Sequence, residues 1–181
     1  NIMHSSNNTG IGVFALNGLT TGYKNVAVGD HAMYATTSAY SCVGIGFYAV
    51  ANNTTGLENT GVGQNALNAN STSNFSTALG SYALYSSTAG SNTAVGNNAM
   101  YSVTSGSANT SIGYNSGRYA GSGTTANTTS ANSVYLGYQT RASSDGNTNE
   151  IVIGYNAIGN GSNTATLGND NITATYLKGA V

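Results

Sequence analysis

The sequence predicts an all-β chain, a parallel β-roll or β-helix (solenoid) of about ten short coils, and two observations predict it. The first is a glycine register: Gly12, Gly29, Gly46, Gly63, Gly80, Gly96, Gly113, Gly137, Gly154 and Gly168 each follow Ile, Val or Leu, at spacings of 17, 17, 17, 17, 16, 17, 24, 17 and 14. A short unit recurring this often is one structural turn stacked on itself. The second is composition. Gly, Ser, Thr and Asn, all poor helix formers, dominate, and no 3.6-residue apolar period persists.

The elements of one unit follow from its columns. Two residues before the last apolar position stand Thr9, Val26, Val43, Thr60, Thr77, Thr93, Thr110 and Val134, with Gly10, Ala27, Gly44, Gly61, Ala78, Ala94 and Ser111 between. Alternation of β-branched and tiny side chains reads as a short strand with one filled face and one face that other backbone approaches closely. After the glycine come Ala15, Ala32, Ala49, Ala66, Ala83 and Ala99, then Leu16, Met33, Val50, Leu67, Leu84 and Met100, which read as a corner and a second short strand. Stretches such as "NNTTG" and "SSTAG" close the coil as polar turns. Four residues before the glycine stand Asn8, Asn25, Cys42, Asn59, Ser76, Asn92 and Asn109, a column suited to an amide ladder along the axis. Cys42 in that column is expected to be a buried free thiol.

Charge excludes several function classes. Only 5% of the 181 residues are Asp, Glu, Lys or Arg, and the net charge is -1. Nucleic acid is not an expected partner, because phosphate binding needs clustered cations, and Lys24, Arg118, Arg141 and Lys178 are scattered. No apolar run approaches a membrane span, and no signal peptide is visible. His4 and His31 have no second ligand at metal spacing. No nucleophile context or paired carboxylates mark an enzyme, so catalysis, cofactors and a metal site are not expected. Each coil encloses two or three apolar side chains, so a lone chain is expected to leave the small-residue faces and the Leu/Met column partly wet. Association of several copies through the Gly and Ala columns would cover them.

Units such as "NTAVGNNAM" (92–100), "NTGVGQNAL" (59–67) and "NTGIGVFAL" (8–16) resemble repeats of phage tail fibres and fibre-like bacterial proteins. They are also similar to head repeats of trimeric autotransporter adhesins, which are left-handed parallel β-rolls in intertwined trimers. The resemblance covers 8–117 continuously and 132–172 more loosely, and it implies a homotrimer. The stretch "ATLGNDNITATYLKGAV" (165–181) resembles the segment before the endosialidase-type intramolecular chaperone of phage fibres and spikes. In that family the chaperone trimerises the fibre and cuts itself off before a serine. Here neither the cleavage serine nor a sialidase domain stands in the sequence. The implied location is a virion tail fibre or an extracellular, cell-surface appendage.

The period breaks by seven residues between Gly113 and Gly137, dividing a regular shaft (1–117) from an irregular region (118–181). An insertion in a solenoid is extruded as a loop, and such loops often recognise partners. Tyr114, Arg118, Tyr119, Tyr138, Arg141 and Asp145 gather there with Tyr135 and Tyr155. Tyr faces stack on sugar rings while Arg, Asp and amides bond hydroxyls, so these six are the candidate carbohydrate-binding residues. "DGNTNE" (145–150) has part of a calcium-loop pattern, but Glu150 stands where the glycine belongs and the distal Glu is missing, so a polar turn is expected. Phe14, His31, Tyr48 and Tyr82, two residues after their glycines, form an outward aromatic column. The expected function is receptor binding to host or prey cell-surface glycan by a non-catalytic trimer, with a purely structural shaft as the alternative.

Overall fold

The computed structural model describes residues 7–176 and 179. His4 and Lys178, and the last few positions of the 165–181 segment, lie outside the described residues. Among the described residues the chain is all-β, a parallel solenoid without helix. Ten strands form one sheet: β1 (Thr9–Ile11), β2 (Val26–Val28), β3 (Val43–Ile45), β4 (Thr60–Val62), β5 (Thr77–Leu79), β6 (Thr93–Val95), β7 (Thr110–Ile112), β10 (Val134–Leu136), β11 (Ile151–Ile153) and β12 (Ala165–Leu167). Each pairs in parallel with its neighbours in one register, Gly44 opposite Gly61 and Ala78 opposite Ala94. The short strands β8 (Tyr119–Ala120) and β9 (Thr125–Ala126) form an antiparallel hairpin beside it.

The side chains face opposite to expectation. In β4 the central Gly61 is buried and Thr60 and Val62 are half-exposed, and the same pattern recurs along the sheet. In the regular coils the interior leaves little room for β-branched side chains in the strand, because the Leu/Met column crosses it from the far wall. A Cβ on Gly44 would lie 2.6 Å from Met33 Cγ, and one on Gly61 would lie 2.5 Å from Val50 Cγ2. Leu16, Met33, Val50, Leu67, Leu84 and Met100 are therefore fully buried within one chain, and the Ala column with them. The expectation that a lone chain leaves these columns wet is overturned. What the chain leaves outside is the aliphatic column just before the glycine.

The expected second strand is replaced by a corner of left-handed residues. Phe14, His31, Tyr48 and Tyr82 have φ of 53–58°, and Leu16, Met33, Val50, Leu67, Leu84 and Met100 have φ of 47–54°. Such angles are costly for non-glycine residues and costlier for β-branched Val50. Axial hydrogen bonds hold them: the Met33 N–H donates to the Ala49 carbonyl and the Val50 N–H to the Ala66 carbonyl, both at 2.9 Å.

The glycine column faces the next coil's backbone. At φ of 128–135°, a Cβ on Gly12, Gly29, Gly46, Gly63, Gly80, Gly96 or Gly113 would lie 2.3–2.7 Å from the following glycine's carbonyl. The close approach expected between chains is thus an approach between coils of one chain.

The polar column is a ladder, mostly of side chain to backbone, with an amide-to-amide rung from Asn109 Nδ2 to Asn92 Oδ1 (3.2 Å). Asn92 Oδ1 accepts from the Asn109 N–H one coil on (3.0 Å), and its Nδ2 donates to the Gly106 carbonyl (2.8 Å). Asn25, Asn59 and Asn109 repeat the pattern. Cys42 takes the same place: it is fully buried, its thiol donates to the Gly56 carbonyl (3.3 Å), and burial pushes that thiol up from its ordinary value.

Where the period breaks, the coil exchanges its volumes. Tyr135 occupies the small central position of β10, fully buried, and Gly117 stands where Leu or Met is usual. A Cβ on Gly117 would lie 2.9 Å from the Tyr135 ring. The sheet runs unbroken across this point, β7 pairing with β10, so the seven extra residues leave the coil between Arg118 and Thr128 as the β8–β9 hairpin.

Candidate functional site

Residues one, two and five after each glycine share one outer corner of the solenoid, and side chains there stack coil on coil. Tyr114, Tyr138 and Tyr155, each directly after a glycine, form one ladder: centroids are 5.4 and 5.3 Å apart and the rings within 19° and 14° of parallel. Tyr85 and Tyr101 stack at 5.0 Å with Tyr82 against both. His31 stacks on Tyr48 at 4.6 Å, flanked by Phe14, Tyr34 and Phe47. His31 Nδ1 also pairs with the Asp30 carboxylate. The sequence reading found the column Phe14, His31, Tyr48, Tyr82 but missed Tyr34, Tyr85 and Tyr101, which share the position five after the glycine and were legible as a column of their own.

Stacking changes what the tyrosines offer. Their faces are occupied by neighbouring rings, so the ladder presents edges and hydroxyls rather than the free faces expected for sugar stacking. Tyr114 and Tyr155, at the two ends of their ladder and 45% and 64% exposed, are the exceptions, each stacked on a single ring.

Arg118 extends the Tyr85–Tyr101 group. Its guanidinium lies over Tyr101 (4.6 Å to the centroid) and Tyr119 (4.9 Å), and its Nη1 donates to Asn115 Oδ1 (3.0 Å). A half-buried cation held between rings is fixed in place, since its stem and plane are both packed. Of the six candidate residues, Arg118 and Tyr119 are brought together, and Tyr114 and Tyr138 form the adjacent ladder. Arg141 and Asp145 are separate from both and fasten the hairpin. Arg141 Nη1 donates to the Ser122 carbonyl (3.4 Å), and Gly123 beside it turns at φ of 92°, a backbone conformation that other residues adopt only under strain.

Asp145 accepts four hydrogen bonds, from the Thr128 and Thr129 N–H groups (2.7 and 2.8 Å) and from their hydroxyls (2.6 and 3.1 Å). Partial burial pushes its carboxyl up, but these four bonds outweigh it and hold the group below its ordinary range. It continues a threonine ladder that sequence reading passed over: Thr37 Oγ1 donates to the Thr54 carbonyl, Thr88 to Thr104 and Thr104 to Thr128. Because the folded value lies below the unfolded one, the carboxylate stabilises the fold above about pH 3.9 and that contribution is lost as pH falls through the folded value. Asp145→Asn is therefore expected to lower the melting temperature at pH 7, with the gap to wild type closing below about pH 3.9. A gap constant between neutral and strongly acid pH would contradict this.

Glu150 is turned away from Asp145. It is fully buried in the interior column, with Oε1 accepting from the Gly161 (3.0 Å) and Ser143 (3.3 Å) N–H groups. The "DGNTNE" stretch forms the polar turn expected. Among the described residues no three His, Cys, Asp or Glu side chains gather in one place. No family model, curated protein or solved structure matches the chain.

Proposed function

We propose that the chain is a segment of a homotrimeric fibre, of the phage tail-fibre or adhesin kind, that attaches to cell-surface carbohydrate through a non-catalytic surface repeated on each subunit. The observation that carries this is the outer face of the ten-stranded sheet. Ile11 (60% exposed), Ile45, Leu79, Ile112, Ile153 and Leu167 stand in one line on it, with Val28, Val62, Val95 and Leu136 completing the row. A straight aliphatic line along a whole solenoid is far larger than the scattered apolar residues of an ordinary surface. Being nearly free of charge, it suits a second and third copy of the same face. The number three comes from the resemblance of the repeats to trimeric fibre proteins.

The attachment half rests on the corner beside that face, where tyrosine hydroxyls and side-chain amides lie in rows. Single-sugar binding there is weak, and three parallel copies supply useful strength by engaging together. Sedimentation at micromolar concentration is expected to give a trimer, and Leu79→Asp to give smaller species. A folded wild-type monomer would sink the proposal. Tyr138→Ala, with the trimer intact, is expected to reduce binding to glycan arrays or host cells.

The second reading is a purely structural shaft. It is favoured by Arg118, Arg141 and Asp145, each of which is tied to its own chain by side-chain hydrogen bonding. A stable trimer that binds no glycan would select it.

A further inference from the structure

The aromatic groups are not separate patches. Coil by coil they occupy the same corner, from Phe14 in the first coil to Tyr155 in the ninth, and the gaps between them are bridged. In the fourth coil, which has no ring, Gln64 Nε2 reaches the Tyr82 hydroxyl (3.5 Å) and Asn68 Nδ2 donates to the Tyr48 carbonyl (3.2 Å). Arg118 then carries the track from Tyr101 to the coil of Tyr114. With about 4.8 Å between coils the track is roughly 40 Å long.

We propose that this corner binds one extended, neutral polysaccharide chain lying parallel to the solenoid axis, with about one sugar per coil. This rests on the carbohydrate reading above and replaces its local patch with a track. Three features of the corner select that occupant. The stacked rings repeat at 4.6–5.4 Å, close to the length that one equatorially linked pyranose covers in an extended chain, so successive sugars meet successive coils over several units. The exposed groups are ring edges, phenol hydroxyls and amides, which exchange hydrogen bonds with sugar hydroxyls. The track has few charges, Asp30 paired with His31 and Arg118 held between rings, so a polyanion finds no row of cations. The corner follows the glycine while the aliphatic row precedes it, so both surfaces remain available at once.

The test is binding of β-1,4-linked di-, tetra- and octasaccharides of glucose, mannose and N-acetylglucosamine to the full chain, with heparin as the anionic comparison. The variants are Tyr48→Leu, Tyr85→Leu and Tyr138→Leu, which keep apolar packing while removing ring edge and hydroxyl. Melting temperature and sedimentation are read on each. For at least one neutral series, affinity is expected to rise with every lengthening. Each variant is expected to weaken octasaccharide binding by about 2- to 12-fold, the loss of one hydrogen bond, with little effect on the disaccharide. If only Tyr138→Leu has an effect, the track is overturned while carbohydrate attachment stands. If no saccharide binds although the chain is folded and trimeric, both fall and the structural shaft remains. Tighter binding of heparin than of every neutral series would overturn the choice of occupant.

Discussion

Gly63→Ala is expected to destabilise the fold by about 2–6 kcal/mol, while Gly10→Ala stabilises it by about 0.4–1 kcal/mol. The opposite signs come from two columns of one repeat. Gly63 sits at φ of 129°, and an added Cβ would lie 2.6 Å from the Gly80 carbonyl, which belongs to the next coil's backbone and cannot rotate away. Unfavourable φ contributes about 1–3 kcal/mol and forced separation of coils a similar amount. Gly10 has no such angle, and its added Cβ would meet Leu16 Cδ1 at 3.5 Å, an ordinary contact. Ala27, Ala78 and Ala94 already occupy its column. Denaturant midpoints of both variants measure the difference. Equal effects, or a tolerated Gly63→Ala, would refute the close stacking of the glycine column.

Asn92→Ala is expected to have a comparable effect for a different reason. Truncation leaves the buried Asn109 N–H and Gly106 carbonyl without their partners. Each buried group so stranded costs about 1–3 kcal/mol, so about 2–6 together. Asn52→Ala removes a similar bond, to the Asn68 carbonyl at 3.0 Å, but on an exposed side chain. Its expected effect is within about 0.5 kcal/mol. Urea unfolding of the pair separates the two cases, and similar losses would mean that the interior ladder is not a major contributor.

The coil and its register were legible because glycine spacing encodes them directly: every glycine predicted to stand in line does so. The facing of the strand was not. Period-two alternation names two faces without saying which is inside, and β-branched residues are ordinarily given to the core. What decides it is the thinness of the interior, set by Met33 and Val50 reaching across from the opposite wall, and a distance between walls is not written in any local pattern. The corner was misread for a related reason. Ala-Leu pairs look like strand, and left-handed Leu and Met are held there only by the coils above and below.

The candidate site was legible as a region but not as a set of contacts. Arg118 and Tyr119 are neighbours in sequence, so their meeting was visible. The partners of Asp145 are 16 and 17 residues earlier, one coil away, but they stand where the hairpin rejoins the coil, a point that sequence alone does not locate. That Tyr114 and Tyr138 face one another was already contained in the glycine register, since each directly follows a glycine of the line.

Because each coil bonds only to the coil before and after it, the solenoid is mechanically a stack of separable rings. Tension along the chain meets its resistance one coil at a time. Each regular coil that yields releases a 17-residue loop, roughly 55–60 Å of extended chain, while the remainder of the stack keeps its register. Such a rod absorbs a sudden pull by lengthening in uniform steps rather than by snapping, and the first step falls at whichever end is least well covered.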